Sequence, residues 1–299
     1  MTLPPKRTRP RGFAEWNPRP DTLALVQAVT DVLAEYQAHL PLTCRQIFYR
    51  LVATRAFEKT EKAYSRLCET IGRARRAGLI PFSAIRDDGA ARYETASWAD
   101  ASHFLSVVSG DAQHFRLDRQ SGQAVRLWVL CEASGMAPML ARVANPLGVP
   151  VLTSGGFDSL TAKYELAQEL SLAIQDGVGA EVLHLGDLDP SGVHLFSSLA
   201  EDVCAMAQAI AGAEPTFARL AVTPEQAERL GLPTAPAKPT DNRRFTGETV
   251  QCEAIAPDVL SDLLRGAIEV RRDPWGTENV LTREREMRRE LLAKLESMV

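Results

Sequence analysis

Cysteine is scarce and scattered in this chain. Cys44, Cys68, Cys131, Cys204 and Cys252 form no CxxC pair. That spacing excludes a zinc ribbon and a disulfide scaffold and points to a reducing compartment, where each thiol reads as a small buried hydrophobe. Long apolar runs are missing as well: none approaches the ~20 residues a membrane span needs. The stretch from Met1 to Arg19 is basic and proline-rich and has no apolar core, so it does not read as a secretory signal. A cytoplasmic protein is the expectation. An excess of positive charge is absent too. The 34 Lys and Arg against 38 Asp and Glu leave a net −4, which excludes a simple basic coat for nucleic acid.

What is present is core material and an uneven charge distribution. The chain has 299 residues, 45% of them hydrophobic, enough for a sizeable core and, by length, about two domains. Residues 1–120 hold 18 Lys and Arg and 13 Asp and Glu, and residues 121–299 hold 16 and 25. A basic first part beside an acidic second part fits a nucleic-acid reader joined to a metal-binding unit, and a solvated surface fits nearly as well.

Residues 1–20 read as a flexible basic arm. From Asp21 to His39, apolar residues recur at helical spacing, with Asp21 as cap and Pro41 as stop. Thr43 caps the next helix and Gln46 completes a capping box. A third helix covers Thr60 to Ala77, with Gly78 behind it, and carries Lys62, Arg66, Arg73, Arg75 and Arg76. Leu79 to Ile85 reads as a strand or wing before the turn at Asp87-Asp88-Gly89. Three short helices and a wing predict a winged-helix module over 21–120, whose third helix would enter a major groove. A solvated helical bundle is the alternative.

From Arg126 the pattern becomes strand and helix in alternation. Strands are expected at Arg126–Cys131, Val149–Thr153, 181–186 and Phe217–Val222, with helices between them, which implies a parallel sheet with right-handed crossovers. Thr223 and Gln226 form a second capping box. The resulting α/β domain spans 121–256, and a charged helical extension spans 257–299.

Two strand ends carry acids. Glu132 follows the first strand, and Asp187 and Asp189 follow the third. In a parallel sheet all carboxyl ends share one edge, so the three converge. Hard oxygen donors in such a cluster suit Mg²⁺, with Mn²⁺ as a substitute. Asp189-Pro190-Ser191-Gly192 is otherwise simply a good turn with Ser191 as helix cap. His184, inside a strand, reads as a satisfied core histidine, and His194 faces either the site or solvent.

Glu132 followed by Asp187-x-Asp189 resembles the acidic pattern of the Toprim fold. Arg45-Gln-Ile-Phe-Tyr49 resembles the Arg-Asp-Ile-Tyr/Phe-Tyr motif of topoisomerase VI A subunits and the meiotic double-strand-break transesterases. Asp189-Pro-Ser-Gly192 resembles their Asp-Pro-Tyr-Gly, and Cys252-Glu253-Ala254 a late Ala-Glu-Ile-x-Ala segment. Ala133 replaces the usual Lys, and Gln46 the usual Asp. The likeness covers residues 40–256 and is also shared by compact bacterial relatives and Toprim nucleases of plasmid defence. It implies a Mg²⁺-dependent enzyme that cuts double-stranded DNA as a homodimer, with any ATPase on a separate subunit. It further implies Tyr49 as nucleophile with Arg45 at the phosphate, and Glu132, Asp187, Asp189 and Glu253 as metal ligands. The Tyr49 of one protomer would meet the acids of the other. Lys238, Arg243 and Arg244 lie in a Pro-rich basic stretch that reads either as a surface loop or as a contact to the DNA backbone. A water nucleophile, with Tyr49 as half-buried packing, remains open, as do a non-catalytic DNA-binding subunit and Toprim chemistry on RNA.

Overall fold

The computed structural model describes residues 14–86, 97–153, 160–236, 245 and 247–296. Most of the basic arm, the turn at Asp87-Asp88-Gly89, Lys238, Arg243 and Arg244 lie outside the described residues.

The chain is an α/β protein built on a four-stranded parallel sheet. Its N-terminal part is helical: α1 (Pro20–Glu35), α2 (Cys44–Arg55) and α3 (Glu61–Arg76). Pro20, whose fixed φ suits the first turn, opens α1 one residue before the expected Asp21 cap. Leu25, Val26, Val29, Val32 and Leu33 bury its inner face, while Leu23 is 52% exposed. The capping box of α2 forms as read: Thr43 Oγ1 accepts from Gln46 N and Gln46 Oε1 accepts from Thr43 N. Thr60 caps α3. Strand β1 (Leu42–Thr43) pairs with β2 (Ile85–Arg86), and the pairing is parallel, with Leu42 opposite Ile85. The expected wing strand is thus a short parallel partner of the two residues that lead into α2. Helix α4 (Ala101–Gln113), capped by Asp100, packs against the C-terminal helix described below.

The sheet contains β3 (Val125–Cys131), β4 (Val151–Thr153), β5 (Gly179–Leu185) and β6 (Thr216–Ala221) in the order β4-β3-β5-β6. The helices that follow these strands are α5 (Ala137–Ala144), α6 (Leu160–Gln175), α7 (Pro190–Ala211) and α8 (Pro224–Arg229). Helices α9 (Pro257–Glu269) and α10 (Pro274–Glu296) complete the chain, and α10 is the one that receives α4. Side chains alternate across β3 because successive residues of a strand face opposite ways. Leu127, Val129 and Cys131 join a core that includes α1, α2, α5 and α9, whereas Trp128 and Leu130 join one with α6 and α7. The first core is continuous from Leu25 to Ile268, so the helical part and the sheet are packed as one body. Among the described residues no helix is long and apolar enough to cross a membrane.

Candidate active site

Strands β3 and β5 are the central pair of the sheet, with Cys131 opposite Leu185. Their carboxyl ends therefore emerge side by side. Glu132 N donates to Leu185 O at 2.9 Å, and Asp187 N donates back to Glu132 Oε2 at 2.9 Å. The carboxylate of Glu132 lies across the mouth of β5. Two glycines make room for it. A Cβ on Gly186 would stand 2.5 Å from Glu132 Oε2, and one on Gly192 would stand 3.0 Å from it and 2.8 Å from Asp187 O. A side chain at Gly192 would meet the Asp187 carbonyl, and one at Gly186 would push the Glu132 carboxylate and the His184 ring aside.

Asp187 and Asp189 take different roles. Asp187 Oδ1 accepts from Cys252 N at 2.8 Å. Asp189 is the N-cap of α7, with Oδ1 accepting from Gly192 N at 2.6 Å and Pro190 in the first turn. The cap expected at Ser191 is thus supplied two residues earlier. Asp189 has the extended backbone a cap requires, while Ser191 is already inside the helix.

The electrostatics of this edge are those of crowded acids. Burial, with Asp187 next, pushes the Glu132 carboxyl up to about 7, and the Asp187 N–H and Arg219 only partly offset this. Asp187 is also raised, by burial first and then by Asp189. Arg219 on β6 is a cation of the site that sequence reading missed. Its guanidinium donates to the carbonyls of Gly186 and Asp187 and feels Glu132, Asp187 and Asp189. A strand arginine in Phe-Ala-Arg-Leu carries no local signal for this contact. His184 is a core residue, stacked on Phe196 with centroids 4.3 Å apart, but its buried Nδ1 has no hydrogen-bond partner among the described residues, where a satisfied histidine is expected, and burial lowers its pKa to about 3. His194 is exposed.

The helical part approaches the same edge through α2. Thr43 Oγ1 donates to Glu253 Oε1, and Arg45 Nε lies 3.6 Å from Glu253 Oε2. Arg50 donates to the carbonyl of Ala254. Glu253 is buried and engaged by both Thr43 and Arg45, so it forms the wall of the site toward α2. Tyr49 is buried, and its hydroxyl donates to Gln251 Oε1 at 2.8 Å. Burial pushes its phenol up to about 12; Arg45 opposes this, and Asp187 and Glu253 of the same chain add to it. Gln251 gave no signal in the sequence.

Beside Glu132, a cavity of about 720 Å³ opens between α2, α3 and the turn Ala133-Ser134-Gly135. Arg45, Arg75 and Arg76 line it together with Tyr64, Phe82 and Glu253. The arginines of α3 do not form a single stripe. Arg66 and Arg73 border a second depression with Arg19 and Trp16, and Arg73 is paired with Glu69 at 2.8 Å.

The donor chemistry of the edge fits a hard divalent cation: three carboxylates, of which burial first and mutual repulsion second raise Glu132 and Asp187. Among the described residues, however, no three His, Cys, Asp or Glu side chains already close around one point. All three strand-end acids hold backbone N–H groups in the fold as it stands: Glu132 that of Asp187, Asp187 that of Cys252 and Asp189 that of Gly192.

Comparison with protein-family models, curated proteins and solved structures returns no match for this chain. Fold and site define an α/β protein with three acids at the carboxyl edge of its parallel sheet and, on the side of α2 and α3, a cavity lined by Arg45, Arg75, Arg76 and Glu253.

Proposed function

We propose that this chain is a Mg²⁺-dependent DNA-cleaving enzyme of the topoisomerase VI A type, acting as a hydrolytic nuclease at Glu132, Asp187 and Asp189. The observation that carries the reading is Glu132. It is a half-buried carboxyl raised to about 7 beside two aspartates, and Ala133, the next residue, lines a cavity bordered by three arginines. The four parallel strands with acids at two adjacent ends support the Toprim reading, and the α2–α3 pair with its arginines supports the winged-helix reading.

Glu132, Asp187 and Asp189 would hold the ion. When bound, it neutralises their mutual repulsion and draws charge from the scissile phosphate. The remaining work falls to the chain. Glu132 takes a proton from the attacking water, the water oxygen bonds to phosphorus, and the phosphorus bond to the leaving oxygen breaks. The proton passes to that oxygen. Arg45, at the rim of the cavity, stabilises the charge that builds on the phosphoryl oxygens. Duplex DNA is the substrate, and a homodimer with an optional separate ATPase subunit follows from the resemblance.

A second reading keeps Tyr49 as nucleophile. Its proximity to Asp187, Glu253 and Arg45 favours it, and its buried phenol, held at about 12, opposes it. The two readings separate in one experiment. Supercoiled plasmid is incubated with Mg²⁺ or Mn²⁺ and wild type, Tyr49→Phe or Asp187→Ala, then treated with protease. Hydrolysis predicts nicks or breaks with free ends, lost only in Asp187→Ala. Transesterification predicts protein on the DNA ends, lost in both variants. A wild type that binds plasmid but leaves it intact in either metal supports the non-catalytic alternative.

A further inference from the structure

The sequence separates Cys44 and Cys68 by 23 residues, and the fold brings them together. Cys44 is the first residue of α2, and Cys68 lies mid-way along α3. Their sulfurs are 2.8 Å apart, within about 0.8 Å of the ~2.05 Å S–S bond length. Both thiols are partly exposed and line the 720 Å³ cavity, so a small reagent can reach them. One further feature favours reaction: Cys44 is the first residue of α2, and the N-terminus of a helix is a setting in which cysteines react readily. A structural metal is the rival use of two close thiols, but it needs about four donors, and no third His, Cys, Asp or Glu joins them among the described residues. Cys131 and Cys252 are different: both are wholly buried.

We infer that Cys44 and Cys68 are an oxidisable dithiol, a modification site that a low-molecular-weight disulfide converts to an intramolecular bridge. The chemistry balances without a cofactor. The thiolate of Cys44 attacks one sulfur of the small disulfide, forming a mixed disulfide and releasing one thiolate. Cys68, already in contact, then attacks the protein-side sulfur and expels the second. Two protein S–H groups become one S–S bond. The reagent takes up both electrons and both protons and leaves as two thiols. The bridge ties the first turn of α2 to α3. Tyr64 relays the change, because its hydroxyl contacts both Cys68 and Arg45, and Arg45 faces Glu253. The dithiol therefore lies three contacts from Glu253, through Tyr64 and Arg45, and its chemistry is independent of what the acidic edge does.

The test equilibrates folded, reduced, full-length protein with glutathione and glutathione disulfide at graded ratios. Samples are quenched in acid, alkylated after denaturation and mapped by mass spectrometry. Wild type is expected to lose two alkylatable thiols together and to yield one cross-linked peptide pair containing Cys44 and Cys68. Cys44→Ser should give a glutathione adduct on Cys68 with no internal bridge, and Cys68→Ala serves if Cys44→Ser fails to fold. Cys204→Ser should bridge like wild type. The inference is overturned if wild type keeps all five thiols alkylatable under excess glutathione disulfide. It is equally overturned if wild type carries only separate adducts on Cys44 and Cys68.

Discussion

Tyr49 and Gln251, 202 residues apart, share a 2.8 Å hydrogen bond that joins α2 to the segment carrying Glu253. The phenol is thereby the donor of a part-buried bond beside the acids of its own chain. Tyr49→Phe removes that bond and leaves the ring, so a loss of about 1 kcal/mol is expected in urea denaturation. Plasmid cleavage should persist. Loss of cleavage with an intact fold would hand the nucleophile's role to Tyr49.

Glu132 and His184 set opposite pH trends. The folded-state pKa of Glu132, about 7, lies above the ordinary 4.5. Its contribution to stability is full below about 4.5 and is lost as pH rises through about 7. Glu132→Gln, uncharged throughout, should therefore melt higher than wild type at pH 8 and abolish cleavage. Mg²⁺ should raise the wild-type melting temperature more at pH 8 than at pH 6, and should do so much less in the variant. Thermal melts with and without EDTA measure all three.

His184 is held neutral, its pKa lowered from 6.5 to about 3 by burial and then by Arg219. The unfolded chain binds its proton first, so stability falls as pH drops below about 6.5, by at most about 1.4 kcal/mol per unit. Between pH 4.5 and 6.5 the raised Glu132 masks this slope in wild type. Glu132→Gln should expose it, and adding His184→Leu to that variant should flatten it again. Urea midpoints across pH 4.5–7 decide; a Glu132→Gln profile as flat as wild type contradicts the assignment.

The glycine cradle makes a steric prediction. Gly186→Ala places a methyl group 2.5 Å from Glu132 Oε2 and from His184 Cε1. Overpacking of this kind costs about 1–3 kcal/mol, and here it also displaces the acid, so cleavage should vanish. Gly266→Ala is the control. It lies inside α9 with nothing within 4 Å of the new carbon, and should stabilise by about 0.5–1 kcal/mol.

If duplex DNA crosses the cavity face, Arg76 touches phosphate and Arg66, on the other depression, does not. Arg76→Ala should then lower the salt dependence of DNA binding by about one unit of log–log slope. Arg66→Ala should leave it unchanged. Fluorescence anisotropy on a short duplex at graded salt reads the difference, and equal effects would mean DNA covers both depressions.

Local chemistry made much of this fold legible. The capping boxes at Thr43 and Thr223, the four strands and the strand-end acids all follow from spacing within a few residues. Glu132 and Asp187 could be brought together because parallel strands share one carboxyl edge. What stayed hidden depends on tertiary pairing. Arg219 looks like any strand residue until β6 is laid beside β5. Cys44 and Cys68 read as separate hydrophobes because helix packing decides their meeting. The wing became a parallel partner of β1 because the packing of the three helices brings Ile85 alongside Leu42. The expected encounter between Tyr49 and the acids of a second protomer has a counterpart within one chain, set by Gln251, Cys252 and Glu253.

The bond between Thr43 and Glu253 spans 210 residues, and this has a consequence in time. A ribosome adding about 5–20 residues per second needs roughly 10–40 s to cover that distance. Throughout that interval Arg50 and Thr43 have been made and their partners have not. The helices can fold early, but their polar face toward the sheet must stay hydrated until the last quarter of the chain arrives. The nascent protein therefore carries its arginines in water long before it owns a site for them to border.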